Sequence, residues 1–287
     1  MIKLVFIQKN LLVLFCLFFT CTEAVSQVAI RYPKAGPVYK SHHAYPLALL
    51  KMSVSKTEGE LRLEPSEIFM NQGRAIKQLE ANRDIDILWT MTSEDREKEL
   101  QAIRVPIYKG LIGWRVFLMN SSPKVDLSRP IPLTQLKKLA IIQGHDWPDT
   151  SILQHNLFNV HSGPSYEGLF KILQYGRADL FPRSIIEVWD ELKIHESSKL
   201  QLEQHTLINY PTASYFFVSK LNTQLAKKIG AGLQMALDDG SFDTLFQRHF
   251  SEKIQQAKLG SRKQYRLLNP LLPEATPIEN SQLWFKP

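Results

Sequence analysis

The sequence predicts an α/β fold in two lobes, each with a mixed, mainly parallel sheet flanked by helices, joined by two hinge crossings. Three observations predict it. Short apolar runs rich in β-branched residues alternate with segments of helical spacing, the layered pattern in which each helix covers a sheet face. A second such series fills the centre of the chain. An apolar strand near residue 215 is then followed by two further helical segments, which suggests a return to the first lobe.

In chain order, residues 1–26 stand apart. Lys3 and Lys9 precede a short apolar core, Leu11 to Phe19, then a polar stretch with cleavage-like positions around Ala24 or Ser26. This is the anatomy of a secretory signal, too short to span a bilayer, and it predicts export to the periplasm. "VAIRY" (28–32) and "IDILW" (85–89) read as buried strands, and "AYPLALLKMSVSK" (44–56) and "GRAIKQLEAN" (73–82) as helices. "IGWRVFLM" (112–119) is a strand that leads to the central series. There "LTQLKKL", "TSILQHN" and "YEGLFKILQYG" are helical and "AIIQ" is a strand. "YFFVS" (215–219) precedes helical segments over 223–239 and 242–250. The proline-rich stretch that follows has no helical period and reads as an extended tail with docked leucine and tryptophan side chains. The predicted division is signal 1–26, first lobe 27–115 with 215–255, second lobe 116–214, and tail 256–287.

Composition excludes several function classes. The two cysteines, Cys16 and Cys21, both lie in the signal, so disulfides and cysteine-ligated metal are excluded from the exported chain. The net charge of +7 is spread along the sequence and forms no basic stripe with interleaved aromatics, which argues against nucleic acid. No HExxH or similar pair suggests a metal, and no GxSxG, Walker or Rossmann loop suggests a nucleophile or cofactor. The expectation is no catalytic residue, no metal and no cofactor.

Two strand-to-helix junctions carry the candidate site. In "LWTMTSEDREK" (88–98), a strand runs through Trp89, Thr92 or Ser93 can cap a helix, and Arg96 sits in its first turn. A strand end, free backbone N–H groups and a guanidinium together seat a carboxylate, although a plain helix start with a solvent-facing arginine gives the same letters. In "QGHDWPDTSIL" (143–153), Gly144 allows close backbone approach, with His145 and Trp147 beside it. The carboxylates Glu187, Asp190 and Glu191 read as a wet helix face.

The runs "RAIKQLEANRDIDILWTMTSEDREKELQAIRVPIYKGLIGWRVFLM", "GLFKILQYGRADLFPRSIIEVWDEL" and "LAKKIGAGLQMALDDGSFDTLFQRHF" resemble family 3 solute-binding proteins, the periplasmic polar-amino-acid receptors of ABC importers. The likeness covers the chain to about residue 250. It implies a type II periplasmic-binding-protein fold with a hinged cleft. It also implies that Arg96, with Thr92 and Ser93, grips a ligand carboxylate, assisted by the turn at Gly144. Where such receptors place an aspartate for the ligand's ammonium, this sequence has Arg183 or Ser184. That departure suggests an anionic solute, held between Arg96 and Arg183 with Trp89 and Trp147 as aromatic walls. Arg177 and Asp179 read as fold punctuation. The expected partners are a small solute and a membrane permease of the ABC type or a sensor protein, the receptor itself being a monomer. Because the sequence stops at Pro287, a fused signalling or cell-wall module is not expected. An enzymatic alternative on the same fold resembles cyclohexadienyl dehydratases, with Glu167, Asp146 or His145 as acid–base groups.

Overall fold

The structure, a computed structural model, describes residues 28–36, 40–58, 61–196 and 199–287. The predicted signal, with Cys16 and Cys21, lies outside the described residues. No described helix is long and apolar enough to cross a membrane.

The chain opens with β1 (Val28–Lys34), α1 (Lys40–Ser55), β2 (Leu61–Phe69), α2 (Gln72–Glu80), β3 (Leu88–Met91), α3 (Glu94–Glu99) and β4 (Leu100–Ile103). Asn71 caps α2 and Ser93 caps α3, each side chain accepting from the backbone N–H three residues on. β1 and β2 pair in parallel around α1, as a βαβ unit requires. Asp86 and Ile87 join them to the next strand by donating their N–H groups to the Arg31 carbonyl at 2.8 and 3.2 Å.

The second series begins with β5 (Trp114–Asn120), followed by α4 (Leu133–Leu136), β6 (Ile141–Gly144), α5 (Pro148–His155) and β7 (Val160–Gly163). It continues with α6 (Tyr166–Gln174), β8 (Phe181–Ser184), α7 (Val188–Ile194), β9 (Leu200–Leu202) and β10 (Thr206–Asn209). β5 is the centre of a sheet in the order β12–β10–β5–β8, with β9 also on β5; β6 and β7 pair in parallel and reach β8 through a bridge between Ile141 and Leu180. Asp179, in the "GRAD" turn, accepts the Ala140 N–H at 2.8 Å, the punctuation expected of it.

β11 (Ser214–Ser219), α8 (Thr223–Asp238) and α9 (Ser241–Ala257) return to the first series. β11 lies between β3 and β4, antiparallel to both. The sheets are therefore mixed: pairs made by βαβ crossovers are parallel, while β5 and β11, which enter directly from the other half, run against their neighbours. Both strands are almost wholly buried and almost wholly apolar, which is why they were the most legible in sequence. Phe216 and Val218 face one cluster that runs through both halves, and Tyr215 and Phe217 face a smaller one beneath α2.

The tail is tied down along its length. Its extended start is a twelfth strand, β12 (Lys263–Arg266), paired in parallel with β10. Beyond it the chain runs back across the molecule, and Trp284 and Phe285 dock beside Lys109, Gly110 and Trp114. The chain passes between the two series at 104–113 and at 210–213, and it crosses twice more, at 258–262 and at 268–271.

Candidate functional site

The halves meet where α3 and β3 of the first series stand across from the β6–α5 turn, α6 and β8 of the second, with Arg96 reaching Asp146 and His42 approaching Glu191. These facing surfaces are the walls of the candidate cleft. Arg96 stands on the first wall. Its guanidinium donates to Thr90 Oγ1 at 2.9 Å, the Met91 carbonyl at 2.6 Å and Gln72 Oε1 at 2.8 Å, and reaches across to the Asp146 carbonyl at 3.4 Å. All four acceptors are neutral. Among the described residues no carboxylate lies within ion-pair distance of Arg96. Burial pulls its pKa down to about 10, against the more distant pull of Asp146 and Asp149, so it remains charged at neutral pH.

Thr92 and Ser93 each hold a partner within the chain. Thr92 is buried, its hydroxyl donating to Glu97 at 2.6 Å, and Ser93 spends its oxygen on capping α3. Their role is to fix the turn that presents Arg96. Trp89 is half-buried beside Tyr32 (ring centroids 6.2 Å apart) and takes the His43 ring edge-on at 4.8 Å, an aromatic wall on the same lobe.

On the facing wall, the space over Gly144 is taken by Trp147: a Cβ added at Gly144 would meet the indole at 2.5 Å. The glycine is required by that tryptophan. His145 is exposed and its Nδ1 lies 3.3 Å from the Gly163 carbonyl. Trp147 stacks near Phe181 and carries the Arg183 guanidinium over its ring at 4.9 Å. Ser184, also buried, donates to the Leu111 carbonyl at 2.9 Å and so pins β8 to the passage between lobes.

Arg183 corrects the sequence reading most. It is 3% exposed, and its Nε and Nη2 donate to Glu191 at 2.6 to 2.9 Å, with Glu187 at 3.2 Å from Nη2. Glu191 is itself 0% exposed, so α7 carries a buried counter-ion where a wet face was expected. Tyr166 donates to the same carboxylate at 2.8 Å, and His42 of α1 approaches it from the other lobe at 3.8 Å. Arg115 extends the cluster. Its Nη2 meets Asp149 at 2.5 Å, its Nε donates to Tyr210 at 3.1 Å, and its Nη1 lies 3.4 Å from Glu187. Tyr210 donates to Asp149 in turn. Two buried cations thus meet three carboxylates from the chain itself. Arg183 offers no free positive charge to a guest, because the sequence supplies its anion eight residues later.

Arg115, Asp149, Glu187, Glu191 and Tyr210 were missed. One signal was available: Arg115 is a lone charge inside the apolar run "IGWRVFLM", which a buried strand tolerates only with partners. The suggested acid–base groups do not assemble. Glu167 is exposed at the start of α6, and Asp146 and His145 lie on an exposed turn. No group of three or more metal-ligating side chains converges among the described residues. Two cavities, of about 250 and 540 Å³, lie elsewhere, one beside Lys124 and Gly176 and the other at the starts of β1, β2 and α8.

No family model matches the sequence, and no curated protein matches it by sequence. Solved structures do match in three dimensions. An ancestral arginine-binding protein bound to arginine superposes with a TM-score of 0.58 at 16% identity, over 78% of this chain and 98% of that one. The periplasmic VFT2 domain of BvgS from Bordetella pertussis gives 0.59 at 15% identity, over 77% and 92%. The fold is that of the periplasmic binding proteins. ArtJ, an arginine-, lysine- and histidine-binding protein from Geobacillus stearothermophilus, shares it with a TM-score of 0.56 at 14% identity, over 78% and 95% of the two chains.

Proposed function

We propose that the protein is an exported solute-binding receptor that closes its two lobes around a small, carboxylate-bearing polar solute and does no chemistry on it. The observation that carries this reading is Arg96: a half-buried guanidinium where the halves meet, held by neutral acceptors, with no carboxylate within ion-pair distance among the described residues. A buried cation without a counter-charge is costly, and a ligand carboxylate removes that cost. The half-buried Trp89 and Tyr32 lie on the same lobe and suit an apolar or flat part of the guest. Similar folds whose ligands are named bind arginine, lysine, histidine or glutamine, which fits recognition through a carboxylate common to such molecules. A net negative guest is no longer favoured, since its motive, a free Arg183, is removed by Glu191 and Glu187. Residues 1–26 support export, and a permease or a sensor reading the closed form is the partner class that the fold suits.

The test is calorimetric titration of the intact receptor with a panel of small carboxylates, with and without amines. Arg96→Ala should weaken the best binder by at least about 30-fold, since truncating one partner of a buried charge pair costs about 2 kcal/mol or more. Unchanged affinity in a folded Arg96→Ala protein overturns the assignment.

A further inference from the structure

The final segment of the chain couples the lobes. β12 belongs to the second sheet through its pairing with β10, and Arg262 anchors its start by donating to the Glu203 and Ala257 carbonyls, each at 2.7 Å. Leu267 donates its N–H to Asn209 at 2.8 Å. Leu268 exchanges two bonds with the Asn156 side chain, at the end of α5, at 2.7 and 3.1 Å. Asn269 then donates to the Pro211 carbonyl, in the second passage between lobes, at 2.9 Å. Two residues later the Leu271 carbonyl accepts the Glu94 N–H at 3.2 Å. Glu94 opens α3, the helix that carries Arg96. The segment ends on the first passage: Phe285 N–H donates to Lys109 at 2.8 Å, Lys109 Nζ donates to the Gln282 carbonyl at 3.0 Å, and the Trp284 ring covers Gly110.

We propose that residues 267–285 form a strap that sets the resting angle of the hinge and keeps the cleft narrow before any guest arrives. The argument is one of reach. Leu271, the first-lobe anchor, is three residue steps beyond Leu268, the second-lobe anchor, and an extended chain of that length spans at most about 11 Å. The passage at 104–113 is longer and that at 210–213 equally short, so the strap adds a further crossing as tight as the tightest of these. Its first-lobe partner, Glu94, lies two residues past Thr92, whose N–H donates to the Ala213 carbonyl at 2.8 Å, so the strap runs beside the second passage and opening the lobes must bend the two together. The lobes already meet across the cleft at Arg96 and Asp146, at His42 and Glu191, and at Arg115 Nη2 and Met91 Sδ, 3.8 Å apart. A tether this short keeps such contacts at high local concentration. This inference does not depend on the identity of any solute, so it stands or falls apart from the receptor reading.

The experiment measures the angle without ligand. Cys16 and Cys21 are replaced by serine, and spin labels are placed at Arg74→Cys on α2 and Lys171→Cys on α6, both exposed. Pulsed electron resonance then reads the label-to-label distance in the intact chain and in a variant with a short Gly/Ser stretch inserted between Leu268 and Asn269. The insertion leaves every anchor residue in place and adds only slack. A narrow distribution in the intact chain that broadens and moves to longer distance with slack supports the strap. The same distribution in both proteins, or a broad one in the intact chain, overturns it. Loss of cooperative folding in the slack variant overturns it too, by assigning the tail to the folding core rather than to the hinge. As a second readout, Asn269→Ala should broaden the distribution in the same direction by a smaller amount.

Discussion

Arg183, expected as a free cation facing the solute, is buried against counter-ions of the chain itself. Its position after the "GRAD" turn places it inside, and it is inside, but Glu191 and Glu187 neutralise it there. The reason it was illegible is that α7 presents Glu191 from among Val188, Trp189 and Leu192, and no local pattern says which carboxylate turns inward. Removing that carboxylate strands a buried charge, so Glu191→Ala should destabilise the protein by about 3–5 kcal/mol in urea unfolding. The pair also sets an acid limit. Burial alone would raise the pKa of Glu191, but the charge and hydrogen bonds of Arg183, with His42 and Tyr166, outweigh it and hold it below its ordinary 4.5. A carboxylate with a depressed folded pKa stabilises above its unfolded pKa, and that stability drains away as pH falls below about 4.5 through the folded value. Melting temperature followed from pH 6 to pH 3 should drop more steeply in the wild type than in Glu191→Gln, which has no such proton to take up.

Among the elements, α1 carries a second titration, of the same sign and at higher pH. Burial, assisted by neighbouring His42, lowers the pKa of His43 to about 4. Between pH 6.5 and about 4 the unfolded chain binds a proton that the folded imidazole refuses, so stability falls as pH drops through that window. His43→Phe keeps the ring against Trp89 and should flatten that part of the profile. α1 also packs on α8 where Gly232 passes the Ser53 carbonyl too closely for any side chain. Gly232→Ala should therefore cost about 1–3 kcal/mol despite its better helix propensity, read as a lower denaturation midpoint at unchanged slope. The long elements of this kind were legible because their period is long and their faces unmixed. β7 ("VHSG") and β12 ("KQYR") were not: they are four residues each, largely polar, and exist because a partner strand offers its edge. The candidate site divides the same way. Arg96 was legible as a candidate because a strand end, a cap and an acidic first turn mark its position locally. The arginine–carboxylate cluster was missed because its members come from β5, α5, β8 and α7 and meet only after folding.

At the scale of the molecule, two halves that already touch leave a guest little rearrangement to drive, and binding should appear mainly as added stability. A ligand at about 100 times its Kd contributes about 2.7 kcal/mol. At about 2–4 °C per kcal/mol for a chain of this size, the right carboxylate should raise the melting temperature by roughly 5–10 °C. A panel without any such rise would count against a carboxylate-bearing guest. The overall architecture was legible because the alternation of strands and helices is a property of the whole chain; the extra passages between halves were not, because the proline-rich tail has no period to read. One consequence of the β10–β12 pairing concerns the order of assembly. Residues 206–209 lie beside 263–266, with two long helices and a strand of the other sheet threaded between them in sequence. A polypeptide emerging amino-end first must hold β10 with one side bare until nearly everything else has been made. Bare strand edges recruit strands from other molecules, so a translation product halted short of residue 263 should be the aggregation-prone form of this protein, even though each residue facing the cleft is already in it.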